Sequence, residues 1–273
     1  KAIRAPEGYV VIDCDSAQIE ARVLAWLAGQ EDLLQAFRDK QDVYSLMASK
    51  IYRIPVEQVT TGSGSQRQVG KTVVLGAGYG VGHVKLKGFL KTQAGVEVTL
   101  EEAKRIIDAY RSTAKQIDAF WQRANSGLAA MMNGQSLQID TVGIVHAVAG
   151  KGLTLPSGLH IQYPGLRAHI GDAGKRELVY TSKGLPVRIY GGKVVENVCQ
   201  AVARQVVAEQ MLRVAKRYKV VLTVHDAITI IAKKEEAAEA QAYLEECMSW
   251  NPKWATGLPL ACESGMGESY GDC

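Results

Sequence analysis

Residues 9–28 read YVVIDCDSAQIEARVLAWLA, and the hydrophobic period changes within this stretch. The β-branched run that begins at Tyr9 predicts a buried strand ending near Asp15. From Gln18 to Ala28 the apolar residues recur at helical spacing, and Gly29 is suited to end that helix. The pattern therefore predicts that Asp15 lies at a strand-to-helix junction.

A second aspartate follows a strand near the end of the chain. Residues 220–224 (VVLTV) and 228–231 (ITII) are two strand-like runs separated by His225-Asp226-Ala227. A three-residue connection of this kind predicts a β-hairpin that presents Asp226 at the edge of a sheet.

The composition limits the class of protein. The chain has 273 residues, of which 47% are hydrophobic and 22% charged, and a formal net charge of +4. These values are typical of a soluble globular protein of one large or two ordinary domains, and the charge excess alone does not identify a nucleic-acid partner.

Five cysteines without CxxC spacing indicate neither a disulfide framework nor a zinc site. No apolar run is long enough to span a membrane, so we expect a cytoplasmic protein.

The middle of the chain is predicted to be mainly helical. Between Gly134 and Gly192, short apolar runs broken by Gly and Pro predict β-hairpins and loops instead. The helices are predicted at 31–39, 42–52, 66–79, 100–131 and 195–217.

The predicted helix at 66–79 carries an informative stripe. Arg67, Lys71, Leu75 and Tyr79 are spaced four apart, so they lie along one helical face. Two cations followed by an apolar and an aromatic residue suit a ligand with a phosphate end and a base end. The same pattern also arises when two solvent-exposed cations precede apolar residues that pack in the core. The nearby glycines fit neither a P-loop nor a dinucleotide-binding GxGxxG motif.

Each aspartate alone is typical of a cap or turn. Together, at the ends of two strands and with a cationic helix between them in sequence, Asp15 and Asp226 predict a pair of Mg²⁺ ligands for in-line phosphoryl transfer.

Three segments resemble the motifs of the family A DNA polymerases. Residues 15–22 (DSAQIEAR) are similar to motif A, D-Y-S-Q-I-E-x-R. Residues 67–80 resemble motif B, R-x3-K-x3-(F/Y)-G-x2-Y-G, and residues 224–227 (VHDA) resemble motif C, V-H-D-E. The resemblance extends to ENVCQ at 196–200 and GMGESY at 265–270. Residues 188–207 (RIYGGKVVENVCQAVARQVV) look more like bacteriophage members than bacterial ones.

The resemblance implies an α+β fold, namely a right-hand polymerase with a palm (antiparallel sheet with helices) and mostly helical fingers. The thumb and exonuclease are expected to be absent from this chain, which would then be a truncated enzyme or the C-terminal subunit of a split one. The implied boundaries are palm at 1–30, fingers at 31–190 with a β-hairpin insertion around 140–190, and palm at 191–273.

The resemblance also implies a role for each matching residue in DNA-directed DNA synthesis from dNTPs on primer-template DNA. Asp15, Asp226 and the Ser16 carbonyl would bind two Mg²⁺ ions, and Glu20 would exclude a ribose 2′-hydroxyl. Arg67 and Lys71 would contact the phosphates, and Lys71 would also be catalytic. Tyr44, Leu75 and Tyr79 would contact the nucleotide. The DNA contacts would come from Arg22, Gln200 and His225.

Three departures from the motifs bear on these roles. Ala227 replaces the glutamate of motif C, so a third carboxylate is expected to be missing, with weakened but not abolished activity. Leu75 replaces an aromatic residue, and Tyr44 stands where the family often has His.

A non-catalytic DNA-binding subunit of the same fold is the alternative function, and an RNA polymerase of the single-subunit type is disfavoured by Glu20.

Overall fold

The computed structural model describes residues 3–171 and 174–273, which form two compact units. The first unit consists of residues 3–23 and 200–273, and the second of residues 24–171 and 174–199. The α-helices are α1 (Ile19–Ala28), α2 (Glu31–Arg38), α3 (Val43–Tyr52), α4 (Gln66–Ala77), α5 (His83–Phe89), α6 (Leu100–Thr113), α7 (Lys115–Met132), α8 (Gly191–Val214) and α9 (Ala237–Met248). The strands are β1 (Tyr9–Ser16), β2 (Ser136–Gln138), β3 (His146–Val148), β4 (Gly152–Thr154), β5 (His160–Ile161), β6 (Arg167–Ile170), β7 (Arg176–Ser182), β8 (Leu185–Ile189), β9 (Lys219–Val224), β10 (Ala227–Lys233) and β11 (Cys262–Gly267).

The first unit is built on a four-stranded antiparallel sheet with the order β11-β1-β10-β9. Alternate residues of β1 and β10, including Ile12, Cys14, Ile228 and Ile230, are buried in a core with apolar residues of α8 and α9. The opposite face of β1 carries Asp13 and Asp15, because successive strand residues point to opposite faces. One face of the sheet therefore stabilises the unit and the other presents carboxylates.

The second unit contains the central helices and two small antiparallel sheets. Helices α3 and α4 approach so closely at Gly70 that an added Cβ would lie 2.1 Å from the carbonyl oxygen of Tyr44. Trp121 of α7 donates a hydrogen bond from Nε1 to the carbonyl oxygen of Gly78 at 2.9 Å, just after α4 ends. The sheets have the orders β2-β3-β4-β5 and β6-β7-β8, and they occupy the region where Gly and Pro predict hairpins.

Most of the predicted elements are confirmed, with four differences. The helix predicted at 195–217 is α8, which spans Gly191–Val214. The single helix predicted at 100–131 is two helices, since Ala114 has φ −94° and ψ 49° and interrupts the helical backbone. Helix α4 ends at Ala77 rather than at 79, so Tyr79 lies in the following turn. The connection at residues 225–226 has two residues, not three, because Ala227 pairs with Val224.

Within residues 3–171 and 174–273, no helix combines the length and the apolar character required to cross a membrane.

Candidate functional site

The two predicted catalytic aspartates lie side by side at one end of the sheet in the first unit. Asp15 of β1 is opposite Ala227 of β10, so Asp226 is the turn residue immediately before its partner. The Ser16 N–H donates to the carbonyl oxygen of Asp226 at 3.3 Å, which joins the end of β1 to this turn. Strand pairing therefore brings together two residues that are far apart in sequence.

The pKa of Asp15 is raised from 3.8 to about 6. Desolvation by the surrounding protein is the largest cause, even though Asp15 is exposed, and the negative charge of Asp226 is the second. A hydrogen bond between the Asp15 and Asp226 side chains contributes in the same direction. A carboxylate whose pKa is raised by a neighbouring negative charge is stabilised in its ionised form by a bound cation, because the cation offsets the repulsion.

Two further carboxylates surround Asp15. Glu263 of β11 is directly opposite it in the sheet, and Asp13 lies two residues earlier on the same face, and both help to raise the pKa of Asp15. Asp13 Oδ1 accepts a hydrogen bond from the buried Thr229 hydroxyl at 2.6 Å. Glu263 thus places a carboxylate beside Asp15 from the other neighbouring strand. The expectation that Ala227 leaves a third carboxylate missing near the metals stays a prediction.

These carboxylates do not by themselves form a complete metal-binding site. Among the described residues, no group of three or more His, Cys, Asp or Glu side chains is arranged to hold a metal ion. The carboxylate oxygens of Asp15 and Asp226 are adjacent, and they fit a divalent cation because Mg²⁺ prefers oxygen ligands.

The other predicted residues of the first unit differ in exposure. Glu20 is half-buried in the first turn of α1, and Gln200 and His225 are exposed. His225 has φ 53°, a left-handed conformation, and its carbonyl oxygen accepts a hydrogen bond from Arg204 at 3.4 Å. Arg22 is only 6% exposed, and it donates to the carbonyl oxygens of residues 17 and 259 at 2.7 and 3.3 Å. A DNA contact by Arg22 would require its guanidinium to turn outward.

In the second unit, Arg67 at the start of α4 forms an ion pair with Asp42. Its Nε donates to Asp42 Oδ2 at 2.6 Å and its Nη2 to Oδ1 at 3.3 Å. Asp42 also caps α3, accepting from Tyr44 N at 3.2 Å and from the Ser45 hydroxyl at 2.7 Å. Although burial acts in the opposite direction, the hydrogen bonds from Arg67 and Ser45 hold the pKa of Asp42 below its usual value.

The Tyr44 ring lies near both cations of α4. Arg67 Cζ is 5.4 Å and Lys71 Nζ 5.9 Å from its centroid. Both distances are within the range of a cation–π interaction. The close approach of α3 to α4 at Gly70 makes this arrangement possible. The structure thus brings Arg67, Lys71 and Tyr44 together, as their predicted shared role requires.

Leu75 and Tyr79 lie farther along the same segment. They line a cavity of about 480 Å³ together with residues of α5, β8 and α8. Tyr79 is 8% exposed and lies in the turn after α4, so the predicted stripe is helical only through Leu75.

Asp42 and Glu263 are the two site neighbours that the sequence reasoning missed. Asp42 could have been found as an N-cap that precedes a predicted helix. Glu263 lies in a strand without a β-branched run, CESGMG, so local pattern gives no signal for it.

The model of DNA polymerase family A matches residues 1–151 of the chain. A DNA polymerase of Bacillus phage SP02 is 31% identical over 277 residues, covering 97% of this chain and 41% of the phage protein. DNA polymerase I of Pseudomonas aeruginosa is 26% identical, covering 99% of this chain and 26% of that protein. The chain thus spans less than half the length of these relatives.

The fold is similar to a solved structure described as the POL domain of Pol1 from M. smegmatis in complex with DNA primer-template and dNTP. The TM-score is 0.64 with 19% sequence identity, over 98% of this chain and 41% of that one. At this identity the likeness concerns the fold.

Proposed function

This chain belongs to DNA polymerase family A, and we propose from that membership that it carries the nucleotidyl-transfer centre of a DNA-directed DNA polymerase. The observation that supports the proposal most is the Asp15–Asp226 pair, whose carboxylates are adjacent and raise the pKa of Asp15. The substrates would be dNTPs and primer-template DNA, as in the complex of the structurally similar Pol1 domain.

Asp15, Asp226 and the Ser16 carbonyl would hold two Mg²⁺ ions, which when bound supply the Lewis acidity that activates a primer 3′-hydroxyl and stabilises the leaving pyrophosphate. Arg67 and Lys71 would bind the triphosphate, Arg67 from a side chain already fixed by Asp42 and Lys71 from beside the Tyr44 ring. Lys71 would also neutralise charge that develops during transfer.

Several other residues would select the substrates. Glu20 would occupy the space of a ribose 2′-hydroxyl, and a carboxylate in that place also penalises the wrong sugar. Leu75 and Tyr79 would line the base-binding side. Gln200, His225 and Arg22 would contact the primer-template, reading minor-groove shape rather than sequence.

We further propose that the sheet-based first unit is a palm and the helical second unit contains the fingers. The phage relative is more than twice as long as the stretch it shares with this chain. That difference supports a thumb carried by an upstream segment or a second polypeptide. The enzyme would act in the cytoplasm, which is the host cytoplasm if a phage encodes it.

The test is extension of a labelled primer on a DNA template with Mg²⁺ and dNTPs, with the chain alone and with the additional segment of its longer relatives. Asp15→Ala and Asp226→Ala should each reduce extension by about 100-fold or more. Asp108→Ala, which removes an exposed helix carboxylate paired with Lys104, should leave it unchanged. Extension that survives both active-site substitutions would contradict the metal pair.

A non-catalytic DNA-binding subunit is the alternative, favoured by Ala227 and by the absence, among the described residues, of a three-ligand metal group. Mn²⁺ binding separates the two functions. If neither aspartate binds Mn²⁺ in the presence of primer-template and dNTP, the binding function is correct. A preference for rNTPs over dNTPs would instead contradict the role given to Glu20.

A further inference from the structure

Two cysteines meet on adjacent strands of the four-stranded sheet, on the face opposite to the carboxylates. Cys14 of β1 is fully buried, whereas Cys262 at the start of β11 is partly exposed. Both pack in the apolar core under the sheet, and both are free thiols. The two thiols also share a hydrogen bond, so their sulfurs are neighbours although the residues are far apart in sequence.

The strand register makes the two cysteines a diagonal pair. Cys262 is the register partner of Ser16, and Cys14 lies two residues before Ser16 on β1. Diagonal neighbours have Cα atoms about 7–8 Å apart, while a disulfide requires about 4.4–6.8 Å, so a bond between the sulfurs needs a strand movement of about 1 Å. Because β11 is an edge strand, it is paired on one side only and can make this movement.

The surroundings of the Cys262 sulfur are polar. The Ser249 hydroxyl oxygen lies 3.5 Å from Cys262 Sγ, and the thiol donates to the carbonyl oxygen of Glu245 at 3.6 Å. The hydroxyl of Ser16, beside Cys262 in the register, is buried and has no hydrogen-bond partner in the part of the chain that the structure describes. A sulfenic oxygen on Cys262 would offer this hydroxyl an acceptor, so the site suits an oxidised sulfur better than an apolar core does.

We propose that Cys262 and Cys14 form a peroxide-sensitive site that closes reversibly to a disulfide. The more accessible Cys262 sulfur attacks the O–O bond of hydrogen peroxide, which gives a sulfenic acid and one water. The Cys14 thiol then attacks the sulfenic sulfur, which forms the S–S bond and releases a second water. Peroxide is thus reduced by two electrons, and the two thiols supply both electrons and both protons.

Closure of the disulfide would act on the carboxylate face through the same two strands. Asp15 lies between Cys14 and Ser16, and Glu263 directly follows Cys262. Since Asp15 and Glu263 are register partners, a movement that joins the sulfurs also displaces these carboxylates relative to each other. A misplacement of about 1 Å at a reacting centre costs up to about 100-fold in rate. This loss of activity rests on the proposed function, whereas the thiol chemistry does not.

The test is tryptic peptide mapping of the full folded chain after hydrogen peroxide treatment and blocking of the remaining thiols. Residues 5–22 should be linked to residues 254–273, with a mass about 2 Da below that of the two peptides together. Dithiothreitol should separate them. No link is expected in Cys262→Ala, and in Cys14→Ala a dimedone probe should label Cys262 as a sulfenic acid.

Cys273→Ser is the matched control, because Cys273 lies in the same tryptic peptide as Cys262 but on the other face of the sheet. An added Cβ at Gly265, the register partner of Asp13, would lie 2.6 Å from the main-chain carbonyl carbon of Cys273. This substitution should therefore leave the link unchanged.

Primer extension gives the second readout. Peroxide should reduce extension by the unmodified chain about tenfold or more, with recovery in dithiothreitol, and extension by Cys262→Ala less than about twofold. The proposal is overturned if no link forms in the folded chain, if Cys273→Ser abolishes the link, or if peroxide inactivates Cys262→Ala as strongly as the unmodified chain. A link that forms in a chain without any primer extension before treatment would contradict the proposed function and leave the thiol site standing.

Discussion

Asp42 holds the guanidinium of Arg67 through two hydrogen bonds, Nε to Oδ2 at 2.6 Å and Nη2 to Oδ1 at 3.3 Å. These bonds use one edge of the guanidinium and leave Nη1 to donate to a ligand. Because Asp42 is itself fixed as the N-cap of α3, the pair orders a long side chain before any phosphate arrives. Ordering in advance reduces the entropy lost on binding.

Asp42→Asn should therefore raise the KM for dNTP about fivefold with a smaller change in kcat, since about 1 kcal/mol of side-chain ordering is lost. Steady-state primer extension measures both constants. Ser45→Ala is the control, because it removes a hydrogen bond to Asp42 without touching Arg67. A lower KM in Asp42→Asn would mean that Asp42 competes with the triphosphate instead.

Gly70→Ala should destabilise the second unit by more than about 2 kcal/mol and impair nucleotide binding. The new Cβ would lie 2.1 Å from the Tyr44 carbonyl oxygen, so α3 and α4 must separate. Gly88→Ala is the matched control, because its Cβ would meet no atom within 4 Å on the exposed side of α5. That control should be neutral or stabilising by about 0.5–1 kcal/mol in thermal or urea unfolding. Equal effects of the two substitutions would refute the close-packing explanation.

Asp15→Asn should stabilise the chain at pH 7.5 while it abolishes activity. The folded-state pKa of Asp15 is raised from 3.8 to about 6, so its ionised form costs stability above about pH 6, and that cost disappears as the pH falls below about 4. After discounting for solvent exposure, the gain is about 1 kcal/mol, or about 2–4 °C in Tm. The difference in Tm between the two proteins should vanish at pH 4. A constant difference across this range would show that repulsion is not its cause.

Glu263→Gln should shift the acid limb of the pH–activity profile to lower pH. Removing a negative charge next to Asp15 lowers the pKa of Asp15, so the carboxylate ionises earlier as pH rises. The measurement is kcat/KM between pH 5 and 8. Glu268→Gln is the control on the residue after β11, where the carboxylate pairs with Lys234 at 2.9 Å instead of facing Asp15. If the acid limb does not shift in Glu263→Gln, then the charge of Glu263 does not affect the ionisation of Asp15.

Local sequence patterns were sufficient for the elements that carry the predicted site. The period change after Asp15 and the apolar runs around Asp226 predict β1, α1 and the β9–β10 hairpin, because each is specified by residues close in sequence. The break at Ala114 was missed since no Pro or Gly marks it. Helices α5 and α9 and strand β11 were also missed, because their hydrophobic patterns are short or weak.

Tertiary neighbours could not be predicted in the same way. The Asp42–Arg67 pair spans 25 positions and depends on how α3 and α4 pack at Gly70. The pairing of Asp15 with Glu263 depends on the order of strands in the sheet. Nothing in the spacing of these residues fixes either contact, since both follow from packing of elements that are distant in sequence.

The position of β1 between β10 and β11 also has a consequence for synthesis. The partner of Asp15 on β10 is synthesised more than 200 residues after Asp15, so the two strands cannot pair fully until the ribosome has passed Lys233. A contact of such long range closes late in folding. The carboxylate pair therefore forms only after both strands and the whole segment between them have been synthesised, and any metal-dependent chemistry depends on that step.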